Sequence, residues 1–464
     1  MFIIYFFITL VGIYYIIYGL SLFFYNIKMV SFFLNRKVRK LQIPNNKIGF
    51  IILLPVLREE KIIKNTLTYL SSFKYKLDKL KIIIITHQKE LATDSTNKKK
   101  KGQNTIDIVK ETIPELNRKL KRNVFLHYHY PYSEGIKSDQ LNYALKRLMN
   151  QNSLIFQNKN TYISLYDADS ISDKNTLTIL ADDAVKNNFP LIYQQPVIYL
   201  KNYDFLPNTI NGLFMKSFAL FQTRYSLGYE APMFLNSSKN IKRPIGKMLY
   251  CLGHGLFIRA DFLKKIGFFP TPIEDTRLGH ILSYSKIDVK LLPPLAITEV
   301  AQKLIHLFKQ SSVWFTGESY FYKDYKIASN LQQINKPWAS SLFFYKFYRN
   351  FIWATEGLIF GSIAFIGWFL SQKIFLLPVF IGFLIYVYTG PFYLLIKYRK
   401  LINLCNNQIN FHPTKKDYLF NFLFLPSLSF LLFLGPQLAL LRFLKNKLTK
   451  KEISFPKTPR LKNE

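Results

Sequence analysis

The arrangement of apolar residues constrains this chain most. They form long runs near both ends, around a middle in which short apolar runs alternate with polar stretches. Residues 1–25 are almost wholly apolar and aromatic. At ~1.5 Å per residue, a helix of that length crosses a hydrocarbon core of ~30 Å. A secretory signal would instead begin with basic residues, carry a shorter apolar stretch and end at a small-residue cleavage site. This segment opens Met1-Phe2-Ile3, stays apolar too long and lacks that site, so a membrane helix is expected. Lys28, Arg36, Lys37, Arg39 and Lys40 follow, and the positive-inside rule then assigns the next segment to the cytoplasm.

Towards the other end, residues 351–370 and 375–396 each suit one crossing, with Ser371-Gln372-Lys373 as the outer turn. A third apolar stretch, 418–441, is interrupted by Pro426 and by Gly435-Pro436. The lysine-rich tail beyond it favours a broken or re-entrant segment that leaves the tail in the cytoplasm, provided protein covers its backbone groups. The expected layout is a transmembrane helix at 1–25, a cytoplasmic domain at 46–335, a membrane region at 341–445 and a basic tail at 446–464. That places the protein in the cell membrane as a multi-pass chain.

The net charge of +35 would suggest nucleic acid as a partner in a soluble protein. Beside apolar runs of this length, basic residues instead suit an anionic inner leaflet, so membrane lipid and not nucleic acid is the expected partner. Two cysteines, Cys251 and Cys405, form no disulfide framework and no zinc spacing. A reducing compartment is the natural reading.

Between the membrane segments, residues 49–54, 81–85, 124–128, 162–166 and 191–194 are short apolar runs. Residues 59–70 carry apolar positions at helical spacing. Continuous apolar strands alternating with helices predict an α/β fold whose largely parallel sheet is covered on both faces. The lysine run at 98–101 reads as a solvated loop.

The strongest chemical signal is Asp167-Ala168-Asp169-Ser170, delivered at the end of the 162–166 strand. Ligands bind at that end of an open α/β sheet. Strand alternation would send both carboxylates to one side, where they could hold Mg²⁺ or Mn²⁺ with a diphosphate completing the shell. Read alone, the same residues could simply make a turn that caps a helix. Glu274-Asp275 stands before a helical stretch, where acids either cap the helix or supply a general base. Lys137 opens another helix, placed either in solvent or at phosphate oxygens. Gln310 and Trp314 suit a carbohydrate ring or a membrane interface, and His254 sits between two glycines that permit close backbone approach to a ligand. Glu356, near the start of a crossing, is either an intramembrane acid, and so a functional suspect, or close enough to the surface to be hydrated.

Taken in order, these pieces resemble the membrane-bound family 2 glycosyltransferases, the group of cellulose, chitin and hyaluronan synthases. The likeness runs over roughly residues 50–317. Leu54-Pro55-Val56-Leu57-Arg58-Glu59-Glu60 is similar to the family's opening strand and turn, and Lys137 to Asn142 to its Lys-x-x-x-Leu-Asn element. Asp167-Ala168-Asp169 resembles its metal motif. Gly253-His254-Gly255 with Arg259 resembles the segment before the acceptor site, Glu274-Asp275 the pair that carries the base, and Gln310 with Trp314 the outer letters of Gln-x-x-Arg-Trp.

The resemblance implies a GT-A type nucleotide-sugar-binding domain with flanking transmembrane helices. It implies inverting transfer from a nucleotide-diphospho sugar, with uridine as the expected nucleoside, to a glycan or lipid-linked acceptor. Asp275 would be the catalytic base, and Asp167 and Asp169 would hold Mg²⁺ or Mn²⁺. Lys137, Asn142, Asp167 and Glu90 would bind the donor, and His254, Glu274, Gln310 and Trp314 the acceptor. The chain departs from the family twice. Ile85-Thr86-His87-Gln88-Lys89-Glu90 replaces the acids that hold the nucleoside, with Glu90 the candidate substitute, and Val313 replaces the motif arginine. Together with only about three C-terminal apolar stretches, Val313 points to transfer of one sugar or a few over bulk polymer synthesis. A polyprenyl-phosphate glycosyltransferase and a non-catalytic membrane subunit of the same fold are the other readings. Retention of both acid pairs argues against the subunit.

Overall fold

A computed structural model of the chain describes residues 2–37, 47–91, 103–369, 373–406 and 408–449. Arg39 and Lys40, the lysine run at 98–101, Ser371-Gln372 and the tail from 450 onward lie outside these residues.

The sheet is built on β1 (Gly49–Pro55), flanked by β2 (Leu80–His87), β3 (Phe125–Tyr130) and β4 (Thr161–Leu165), all parallel, in the order β3-β2-β1-β4. Leu53 aligns with Ile83 on one side and Leu165 on the other. Because alternate side chains point to opposite faces, the run Phe50-Ile51-Ile52-Leu53-Leu54 feeds two separate cores. Phe50, Ile52 and Leu54 pack with Leu67, Val109 and Leu177 from covering helices. Ile51 and Leu53 face a second core that continues through Leu141 and Phe218 to Tyr15, Leu22 and Tyr386 on membrane helices.

Beyond β4 come β5 (Ile171–Ser172), β6 (Ile192–Gln194), β7 (Val197–Ile198), β8 (Leu256–Arg259), β9 (Lys290–Leu291) and β10 (Ala296–Ile297). β8 inserts antiparallel between β4 and β6, and β9 closes a seven-stranded sheet; β5, β10 and β7 form a small second sheet. The five expected strands coincide with β1, β2, β3, β4 and β6. Chain direction across the sheet reverses at β1, since β2 and β3 lie on one side and β4 on the other. A crevice outside the C-terminal ends of β1 and β4 follows from that reversal.

Among the described residues, four helical stretches are long and apolar enough to cross a membrane: residues 3–35, 336–367, 373–396 and 415–446. The first span belongs to the helix Phe2–Lys37 and runs well past the expected 1–25. It packs along the third span, the helix Leu377–Ile396, where glycines remove the side chains that would separate the two backbones. A Cβ on Gly12 would stand 2.5 Å from the Pro378 carbonyl carbon, and one on Gly19 2.8 Å from the Tyr386 nitrogen. The second span, Lys336–Phe369, has 34 residues and a length of ~51 Å at ~1.5 Å per residue, more than a ~30 Å core requires. Its first turns belong to the domain, for Trp338 is buried and its Nε1 donates to Ser283 O at 3.0 Å.

The last apolar stretch is broken. One helix, Lys415–Leu431, contains Pro426, and a second, Leu434–Thr449, begins after Leu432-Phe433. The second half packs against the helix Leu304–Glu318, so closely that a Cβ on Gly435 would stand 2.5 Å from Ser311 Cβ.

Candidate active site

After Leu165 the chain leaves the sheet and turns, with Ser170 N donating to Asp167 O at 3.0 Å and Thr66 Oγ1 donating to Ala168 O at 2.5 Å. Strand alternation is therefore not what orients the two acids, because β4 ends before them. The turn does so, and both Asp167 and Asp169 line one cavity of about 440 Å³. Lys201 Nζ fixes the far side of the turn by donating to Asp169 O at 2.8 Å.

Lys137 is the first residue of the helix Lys137–Gln151, which Asp139 opens by accepting from Ile136 N at 2.9 Å. Its Nζ lies 2.8 Å from Asp167 Oδ1, 3.2 Å from Glu274 Oε1 and 3.4 Å from Gly253 O. The ammonium thus gathers acids that are more than a hundred residues apart. Lys137 and Asp167 lie deep in the molecule yet keep about a third of their side-chain surface open, 35% and 31%, towards the cavity. Burial works against the charge on each, but their attraction outweighs it. Asp167 is held well below the usual carboxylate range by Lys137 and His254, and Lys137 is held above the usual lysine value by Asp167, Glu274 and Asp275.

Glu274 and Asp275 begin the helix Glu274–Tyr284. The helix has Ile273 as its N-cap with no side-chain cap bond, but Asp275 Oδ1 accepts from Thr276 N at 2.7 Å and so satisfies one free amide of the first turn. The other faces the lysine: a Cβ on Gly253 would stand 2.7 Å from Asp275 Oδ2 and 3.1 Å from Lys137 Nζ. A bonded and an open carboxylate oxygen therefore coexist in one residue. Burial, then repulsion by Glu274, pushes the Asp275 carboxyl up to about 6 against the pull of Lys137. Ile273, just before the pair, has φ +57°, a left-handed conformation that costs a β-branched residue energy. Gly317 makes room for it, since a Cβ there would stand 2.7 Å from Ile273 Cγ2. Replacing Gly253 with alanine should force Asp275 and Lys137 apart and lower turnover by about a hundredfold with the fold intact, as read by steady-state rate and circular dichroism.

Behind the acids, Asp324 holds the helix in place. Its side chain is fully buried, 2.7 Å from Arg277 Nη2 and 2.9 Å from His280 Nδ1. Removing it by Asp324→Ala leaves a buried guanidinium without its partner, a loss of ~3–5 kcal/mol. The expected result is a melting temperature lower by roughly 10 °C in a thermal-shift measurement.

Of the other expected residues, His254, Gln310 and Trp314 line the same cavity, as does Val313. His254 Nδ1 is 3.4 Å from Asp167 Oδ2, and its Nε2 is buried without a hydrogen-bond partner. Glu356 also lines the cavity and accepts from Tyr15 OH at 3.1 Å. Asn142 and Glu90 lie elsewhere. Asn142 clamps the turn before the acids, donating to Phe269 O at 2.8 Å and accepting from Phe269 N at 2.9 Å. Glu90 accepts from Arg58 N at 2.6 Å and from Thr105 Oγ1 at 2.8 Å, so it ties a loop to the helix Thr105–Leu120.

Several cavity residues carried no motif. Glu230 ends a π-helical turn, Ser226–Glu230, packed on the first span; a Cβ on Gly228 would stand 2.5 Å from Asn26 Nδ2. Its Oε1 accepts from Tyr250 OH at 2.8 Å, its Oε2 is buried without a partner, and burial pushes the carboxyl up to about 7. Tyr14, Tyr15, Tyr18, Arg349 and Tyr386 bring the membrane spans to the cavity wall.

The donor chemistry fits a hard divalent cation. Asp167, Asp169, Glu274 and Asp275 face one cavity with Lys137, an excess of negative charge. Among the described residues no cluster of three metal-ligating side chains is formed. Two carboxylates alone suit Mg²⁺ or Mn²⁺ that takes its remaining ligands from water and a diphosphate.

No family model matches the chain, and no curated protein matches it. Solved structures do resemble it. The mannosyltransferase PcManGT from Pyrobaculum calidifontis, in complex with GDP-Man and Mn2+, is 12% identical, with TM-score 0.46 over 93% of this chain and 99% of that one. S. aureus TarS 1-349 in complex with UDP-GlcNAc is 13% identical, with TM-score 0.37 over 78% of this chain and 88% of that one. The same fragment with UDP is 15% identical, with TM-score 0.34 over 61% and 70%. Likenesses this loose leave the function to be read from the site itself.

Proposed function

We propose that this chain is a membrane-bound glycosyltransferase with a GT-A type domain, which moves a sugar from a nucleotide-diphospho sugar to an acceptor hydroxyl with inversion. One observation carries the reading. A lysine at a helix start joins Asp167 to Glu274, beside Asp275, at the switch point of a parallel sheet, in a cavity walled by membrane helices.

Lys137 and the start of its helix meet the donor's phosphates. Asp167 and Asp169 would hold Mg²⁺ or Mn²⁺, which supplies charge neutralisation at the diphosphate. Asp275 takes the proton of an acceptor hydroxyl through its open oxygen as that hydroxyl oxygen bonds to the anomeric carbon. The bond from that carbon to the diphosphate breaks, and its electron pair leaves with the nucleotide. Gln310, Trp314 and His254 line the acceptor's approach. Basic residues after the first span support a cytoplasmic domain. The broken last stretch, docked on the helix Leu304–Glu318, supports a tail on that same side.

The test is nucleotide release by the purified full chain from a panel of UDP- and GDP-sugars, with and without Mn²⁺. Metal-dependent release from one or two of them is expected. Absence of turnover across the whole panel, with acceptor membranes added, would sink the reading.

A further inference from the structure

Among the described residues, Arg349 is the one lysine or arginine of the cavity wall that has no carboxylate within ion-pair distance. Lys137 is paired with Asp167 and Glu274, and Lys346, one turn before Arg349, is paired with Glu318. Among the described residues no carboxylate lies within ion-pair distance of Arg349. Glu356, two turns further along the same helix, accepts from Tyr15 instead. The guanidinium is held by neutral groups. Its Nη2 donates to Tyr225 OH at 2.8 Å, its Nη1 reaches Tyr18 OH at 3.4 Å, and it lies 4.8 Å from the centre of the Tyr229 ring. Tyr229 is in turn stacked on Tyr225 and bonded to Tyr345 OH at 2.6 Å. A half-buried charge whose direct contacts are all neutral is costly, with Glu356 acting on it only from a distance, and near a bilayer such a charge is a functional-site candidate.

Its depth is informative. Arg349 stands two residues before the apolar stretch 351–370, and Phe343, Phe344, Phe347 and Tyr348 are exposed around it, as in an interfacial aromatic belt. A belt of that kind lies at the level of lipid phosphates. The first span packs along the third. It meets the second span through side chains: Tyr18 at Arg349, Tyr15 at Glu356, and the Tyr15 ring 4.6 Å from Phe360. A seam bridged by side chains can admit a headgroup from the side.

We propose that Arg349 seats the phosphoryl group of a lipid-linked acceptor, which enters between the first and second spans and reaches Asp275 with the part beyond its phosphate. The guanidinium offers paired N–H donors suited to phosphate oxygens, and the surrounding tyrosines add hydroxyl donors. Arg349 binds and does not react. That the bound lipid serves as acceptor rests on the transfer reading above; that it binds does not.

The test uses the full chain in phosphatidylcholine nanodiscs, without donor, with undecaprenyl phosphate as probe. Quenching of Trp314 and Trp353, both on the cavity wall, reports occupancy. Saturable binding is expected, at least tenfold tighter than undecaprenol or inorganic phosphate. Arg349→Gln should weaken it tenfold or more, and Arg349→Lys, which keeps the charge and loses the fork, by an intermediate factor. If Arg349→Gln does not fold, Arg349→Lys and Tyr225→Phe carry the comparison. Four results would overturn the proposal: no binding by the wild type, undecaprenol binding as well as its phosphate, inorganic phosphate binding as tightly as the lipid, or unchanged binding in the variants. Lipid binding without turnover of any nucleotide sugar would remove the reaction and leave the site.

Discussion

Replacing Asp275 with asparagine should lower sugar transfer by at least about a thousandfold while donor affinity stays within about threefold of wild type. The substitution keeps the oxygen that accepts from Thr276 N, so the helix start survives. It removes only the ability to take a proton. The pH profile gives a second check. With the carboxyl pushed up to about 6 by burial and by Glu274, the wild-type rate should climb tenfold per pH unit below about 6 and level off above it. Stability runs the other way. A carboxyl whose folded value exceeds its ordinary value of about 3.9 favours the folded state at low pH, and that contribution is lost as pH rises through about 6. The asparagine protein should therefore melt at or above wild type at pH 8, with the gap about halved at pH 5 and closed only below about pH 4. Near-normal transfer by Asp275→Asn would strike Asp275 out as the base.

The second large effect is expected at Asp169. With alanine there, donor affinity measured by calorimetry in Mn²⁺ should fall at least about a hundredfold. A chelator should bring the wild type down to the same level and change the variant little. Asp167→Asn should lose as much and also release Lys137 from its 2.8 Å contact. A variant at Asp169 that still binds donor with full metal dependence would show that this turn does not seat the cation.

Much of the frame was legible because it is written in local pattern. Gly49–Pro55 and Leu80–His87 are unbroken apolar runs, and such runs become strands covered on both faces. Asp167-Ala168-Asp169 was visible by its place after a strand, although a turn, not the pleat, aims its carboxylates. β8 was missed because four residues, Leu256–Arg259, carry too little pattern to separate a strand from a loop. Asn142 and Glu90 lie away from the cavity, where each bonds groups that only folding brings near. Glu230 and Arg349 had no motif. Their positions depend on how the π-helical turn and the second span meet the first span, a long-range matter that no window of sequence contains.

Those spans also determine how the protein can be handled. Tyr14, Tyr15, Tyr18, Arg349 and Tyr386 form part of the vessel in which the acids stand, and the core beneath the sheet runs on into the same helices. A water-soluble fragment cut at the edges of the sheet domain would be an open bowl with an oily rim. It should stick to itself, and even when kept in solution it could still grip a nucleotide sugar while having nowhere to hold the molecule that receives the sugar.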